Sequence, residues 1–94
     1  MMKETRFLIR LYGDVQGVGL RYNIEKKAQA LSLVGWVKNE SDGTVLCLIE
    51  GHQTRVNDFV RYLAEDLSVG RVDKMDVEVH SVGGDLTDFS IKYE

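Results

Sequence analysis

The residues best suited to chemistry lie together near the N-terminus, in the run Gly13-Asp14-Val15-Gln16-Gly17-Val18-Gly19-Leu20-Arg21. Glycines at this density let successive backbone N–H groups turn toward one point, a concavity suited to an anion. A helix starting at the end of the run would add unpaired N–H donors and a partial positive charge. Arg21 would supply a planar fork that matches the oxygens of a phosphate or carboxylate. The pattern therefore reads as an anion cradle. It also fits an ordinary glycine-rich connection followed by a surface arginine, and composition alone leaves both open.

Other reactive residue types read as structural. Cys47 falls in mid-strand on an apolar face, as an inert core thiol does. His52 and His80 have no partner motif and make no metal site, so both read as surface residues. Asp14 and Asp42 read as turn formers rather than bases. Trp36 reads as core or as the edge of a pocket, and Lys26-Lys27 as a solvated helix face.

The elements that must hold the loop follow from hydrophobic period. Phe7, Ile9 and Leu11 alternate with Leu8, Arg10 and Tyr12 in a first strand that stops at Gly13, and Asp14 to Leu20 is loop. Ile24, Ala28 and Leu31 recur at helical spacing, giving an amphipathic helix from Arg21 to Leu31. Val34 to Asn39 is a second strand. Asp42-Gly43 signals a hairpin turn with both residues at positive φ, and Thr44 to Glu50 is a third strand with Val45, Cys47 and Ile49 on one face. Val56, Phe59, Val60, Leu63 and Leu67 form the stripe of a second helix, capped by Thr54. Met75, Val77 and Val79 mark a fourth strand; Val72 is out of phase, which predicts a bulge near Asp73. Gly83-Gly84 is a turn, and Phe89, Ile91 and Tyr93 alternate in a short last strand. The order β-α-β-β-α-β predicts an α+β, ferredoxin-like sandwich: an antiparallel sheet with two helices on one face and an extra short C-terminal strand. That fold hosts many functions and names none.

The run GDVQGVGLR, followed by LVGWVKNESDGTV, resembles the acylphosphatase family, whose hallmark is VQGVGFR and then GWVxN with a DG turn. The spacing from Arg21 to Asn39 agrees, and the likeness continues through Ile49-Glu50-Gly51 to the closing FSIKY. The resemblance implies a metal-independent hydrolase that splits the carboxyl–phosphate bond of small acyl phosphates into a carboxylate and inorganic phosphate, with no cofactor. It implies that Arg21 and the backbone N–H groups of Val15, Gln16, Gly17, Val18, Gly19 and Leu20 hold the phosphate. Asn39 would orient the attacking water, brought near the loop by a sheet in which strands one and three are central. Phosphoryl transfer of this kind depends on positioning and on stabilising charge on the equatorial oxygens, so the lack of a histidine in either motif is consistent.

Four places depart from the family pattern: Leu20 stands where it has Phe, Ile24 where Thr is frequent, and Ser32 where Gly is usual, while Asp66 to Gly70 replaces a Gly-Pro after the second helix. Ile24 and the altered rim motivate an alternative, a non-catalytic anion-binding regulatory module of the same fold. An RNA-binding module is a third reading; it needs exposed sheet aromatics and a basic patch, and this chain shows neither motif.

Bulk properties fit the first reading. The length of 94 residues suits one domain spanning 1–94, and 44% apolar residues suffice for one core. A net charge of -3 argues against general binding to nucleic acid or anionic membrane. One cysteine allows no internal disulfide, and no apolar run reaches the roughly 20 residues of a membrane span. No signal peptide is recognisable, and the complete set of elements leads us to expect a free-standing, monomeric, cytoplasmic protein rather than a domain of a longer maturation protein.

Overall fold

Alternation along the strands decides which side of the sheet is dry. Ile9 and Leu11 of β1 (Glu4–Asp14), Val37 of β2 (Val34–Asn39) and Val45, Cys47 and Ile49 of β3 (Val45–His52) are fully buried on one face. Against that face lie α1 (Leu20–Ala30), through Leu20, Ile24 and Ala28, and α2 (Gln53–Arg61), through Val56 and Phe59. Spacings of three and four residues place each set on one side of its helix. The computed structural model describes residues 3–17 and 19–93.

Two further strands, β4 (Arg71–His80) and β5 (Phe89–Ile91), complete a five-stranded sheet in the order β4-β1-β3-β2-β5. Each neighbouring pair among the first four is antiparallel, as expected. The short last strand runs parallel to β2, pairing Gly35 with Phe89 and Val37 with Ile91, so the sheet is mixed. Its direction follows from the connection. The chain leaves β4 at one edge, crosses the open face through residues 81–88, and enters β5 at the far edge. Arg6 fastens the crossing: its Nε donates to Glu50 at 2.5 Å and its Nη2 to Asp85 at 2.6 Å, while the Gly83 N–H reaches Glu50 Oε1 at 3.4 Å.

Several boundaries differ from the sequence reading. Strand β1 continues through Gly13 to Asp14, because both residues pair with β4. Gly13 makes that possible: a Cβ there would lie 2.4 Å from the Arg71 carbonyl oxygen. The bulge falls as expected, with Tyr12 opposite Lys74 and Gly13 opposite Val72, leaving Asp73 unpaired. Thr54 is no cap; α2 begins at Gln53, and the Gln53 N–H is taken by the Lys3 carbonyl. The helix ends earlier than its apolar stripe, passing into a π-helical turn at Tyr62–Asp66, so Leu67 packs on the core from extended backbone.

The end of α1 explains Ser32. Leu33 N–H bonds to the Ala28 carbonyl at 2.9 Å and Ser32 N–H to that of Gln29 at 3.0 Å, the pair of bonds of a Schellman ending. Such an ending needs one left-handed residue, and Ser32 takes that role at φ 56 without being glycine. Trp36 is not core. It lies half-buried on the open sheet face, with Lys92 and Lys38 nitrogens 4.6 and 5.5 Å from its ring.

Candidate active site

At one end of the sheet, the end of β1, the start of α1 and the β2–β3 hairpin converge. Val15 is buried beneath the loop, and Leu20 is buried as the first residue of α1. Gly19 caps the helix at φ 80, a conformation that suits glycine, and its carbonyl accepts the Asn23 N–H at 2.9 Å. No side chain caps this helix among the described residues, and its first turn holds no acidic residue. The first-turn donors and the partial positive charge of the helix therefore meet no cap or carboxylate from the helix's own first turn, and Arg21 adds a full positive charge beside them. Val18 lies outside the described residues.

Gln16 shows how the loop is held to the hairpin. Its side-chain Nε2 donates to the carbonyls of Glu40 and Thr44, at 2.6 and 2.8 Å. This brings the loop against the residue next to Asn39, which ends β2 opposite Val45. The Asn39 Oδ1 is buried and accepts no hydrogen bond among the described residues. A buried amide oxygen without a donor costs roughly 1–3 kcal/mol, so it is a position prepared for one.

The hairpin is itself rigid. Asp42 Oδ1 accepts from the Thr44 N–H at 3.0 Å and the Thr44 hydroxyl at 2.6 Å, and these bonds hold the Asp42 carboxyl below its ordinary 3.8. The Thr44 oxygen in turn accepts from Arg10 at 2.8 Å. The turn is not the two-residue type expected from Asp42-Gly43. Gly43 N–H bonds to Glu40 and Glu40 N–H to Thr44, with only Gly43 at positive φ (93°), which makes a three-residue loop with a glycine bulge. Asp42 is a turn former, as expected.

Arg21 is paired with no carboxylate among the described residues; its guanidinium carbon sits 5.0 Å from the centre of the Tyr93 ring. A groove of about 380 Å³ beside the loop is lined by Asp14, Gly17, Leu20, Val69 and Gly70. Here the segment that replaces the family's Gly-Pro touches the loop: a Cβ on Gly70 would meet the Asp14 carbonyl oxygen at 2.6 Å.

The groups set aside in the sequence behave accordingly. Burial pushes the Cys47 thiol well above its ordinary range, which suppresses the thiolate. His80 Nε2 faces Glu78 at 2.7 Å, and His52 Nδ1 lies 2.8 Å from Glu4 without hydrogen-bond geometry. His52 ends β3, while Asn39 pairs at its start, so that imidazole stands at the opposite end of the sheet. Sequence reasoning missed the Gln16 side chain and Tyr93. Gln16 was read through its backbone alone, and Tyr93 as one more alternating strand residue.

Fold and candidate site together describe an α+β sandwich with a glycine-rich loop at a helix N-terminus, tied to the β2–β3 hairpin. The acylphosphatase family model matches residues 7–91. An acylphosphatase from Arthrobacter sp. is 42% identical over 91 residues, covering 97% of this chain and 84% of the relative. The crystal structure of acylphosphatase from Bacillus subtilis superposes with a TM-score of 0.89 at 34% identity, over 95% of this chain and 99% of that one. The chain is also similar to 12% of a full-length HypF structure in its phosphate- and nucleotide-bound form, with a TM-score of 0.89 at 29% identity. The chain belongs to the acylphosphatase family and is an acyl phosphate hydrolase.

Proposed function

We propose that the N–H groups of Val15 to Leu20 and the Arg21 guanidinium hold the phosphate of a small acyl phosphate while the Asn39 amide orients the attacking water. The observation that carries the reading is the Oδ1 of Asn39, buried and without a hydrogen-bond partner among the described residues, beside a helix N-terminus that no described side chain caps. Water donates one hydrogen to that oxygen and turns a lone pair toward phosphorus. The new P–O bond forms as the bond to the carboxyl oxygen breaks, and the carboxylate leaves with the electron pair. The water's proton passes to a phosphate oxygen, so no strong base is required; the carboxylate is already a stable leaving group. Negative charge on the equatorial oxygens meets the N–H groups and Arg21, where positioned donors act most strongly.

The test is hydrolysis of benzoyl phosphate by wild type, Arg21→Ala and Asn39→Ala. Loss of one positioned hydrogen-bonding group costs on the order of a hundredfold, so both variants should fall at least that far. Asn39→Ala should act mainly on kcat and Arg21→Ala also on KM. Turnover within tenfold of wild type by either variant would remove that residue from the mechanism.

We place this activity in a cytoplasmic monomer of one domain, residues 1–94, that binds no nucleic acid. The net charge of -3 and the lone, buried Cys47 thiol support this setting. Among the described residues no helix is long and apolar enough to cross a membrane.

A further inference from the structure

Arg21 has an unusual support. A cation in the first turn of a helix meets the positive end of the helix dipole, and a carboxylate would be the ordinary neighbour to hold it. Among the described residues none does so, and an aromatic ring takes that place, 5.0 Å from the guanidinium carbon. The difference matters for anion binding. A carboxylate would occupy the N–H fork and cancel its charge. A ring face attracts the guanidinium through its quadrupole and leaves the N–H groups and the charge for a ligand.

The ring is delivered by the fold. Strand β5 runs parallel to β2, so the chain beyond it heads toward the end of the sheet that holds Asn39. The Lys92 N–H donates to the Val37 carbonyl at 2.9 Å, which fixes the backbone one residue before Tyr93. The ring is 76% exposed, so burial of the ring gives little reason for its position.

We propose that Tyr93 is a positioning residue that holds the Arg21 guanidinium ready for the substrate phosphate. This rests on the reading of Arg21 as the phosphate ligand. An exposed cation–π contact of this kind corresponds to about a two- to fivefold effect on binding.

The experiment measures KM and kcat for benzoyl phosphate, and Ki for inorganic phosphate, in wild type, Tyr93→Leu, Tyr93→Phe and Arg21→Ala, with a thermal melt of each. Tyr93→Leu should raise KM and phosphate Ki together by about two- to fivefold, with kcat changed less than twofold and an unaltered melting temperature. Tyr93→Phe keeps the ring and should restore both constants. Inorganic phosphate has no acyl group, so a Tyr93→Leu variant with raised KM but unchanged Ki would overturn the proposal in favour of contact with the acyl group. Unchanged KM and Ki, or a Tyr93→Phe as impaired as Tyr93→Leu, would also overturn it. Wild-type phosphate affinity in Arg21→Ala would instead overturn the reading of Arg21 beneath it.

Discussion

Replacing Gln16 tests whether the loop works only when tied to the hairpin. Its Nε2 makes two bonds, to the Glu40 and Thr44 carbonyls at 2.6 and 2.8 Å. One is solvent-exposed and the other part-buried, so together they contribute about 1–2 kcal/mol net. Gln16→Ala should therefore lower the melting temperature by roughly 4–16 °C, since 1 kcal/mol shifts a domain of this size by about 4–8 °C. The same energy weakens the tethered arrangement by about tenfold, and catalysis that depends on placement falls with it, so kcat/KM for benzoyl phosphate should drop by up to about tenfold. Gln16→Glu is the sharper variant. It keeps the length but turns carboxylate oxygens toward two carbonyl oxygens, converting attraction into repulsion, and it adds negative charge beside a phosphate site. Its kcat/KM should fall further than that of Gln16→Ala, with a raised Ki for inorganic phosphate. A Gln16→Glu variant with wild-type kcat/KM and melting temperature would refute the clamp.

Three further outcomes follow from the fold. Ser32→Gly should stabilise the protein by up to about 1 kcal/mol in urea unfolding, because a left-handed conformation at φ 56 suits glycine better than serine; a loss of stability would contradict this. Arg6→Met strands the Glu50 carboxylate, whose side chain is 6% exposed, and should cost roughly 2–3 kcal/mol, whereas Arg6→Met with Glu50→Met should recover most of it. Equal unfolding midpoints for the single variant and wild type would count against the ion pair. The third outcome concerns acid. Hydrogen bonds from Thr44 lower the Asp42 carboxyl, and those from Arg6 lower Asp85, below 3.8 in the folded protein. A lowered carboxyl stabilises the fold above its unfolded value and loses that contribution as pH falls through the folded one. The urea midpoint should accordingly fall below about pH 4, less steeply in Asp42→Asn than in wild type, and identical slopes would show that Asp42 plays no part.

Much of this was legible because it rests on local physics. Alternating apolar residues marked β1, β3 and their shared core, and helical spacing marked Ile24 and Ala28. The phase break at Val72 announced the bulge at Asp73. What stayed hidden depends on partners distant in sequence. Strand β1 outlasts Gly13 only because β4 lies alongside, and Thr54 loses its cap role because the Lys3 carbonyl takes the Gln53 N–H, starting α2 earlier. Asp42-Gly43 signals a turn, but its type depends on how β2 and β3 register. The site divides in the same way. The loop glycines and Arg21 were visible as an anion cradle and Asn39 through family resemblance. The Gln16 clamp joins residues 24 and 28 positions apart, and the ring over Arg21 comes from the other end of the chain.

The crossing through residues 81–88 has a consequence for synthesis. The loop and Asn39 are made well before the segment that closes the β2 edge. Until then Phe89 is missing from the core and the Gly35 N–H lacks the Asp88 carbonyl it bonds at 2.8 Å. A nascent chain ending after β4 therefore carries the cradle and the amide with an open sheet edge and no ring over Arg21. Residues 89–93 cover the edge and bring that ring to the arginine in the same step, so the closed sheet and the contact to Arg21 arrive together.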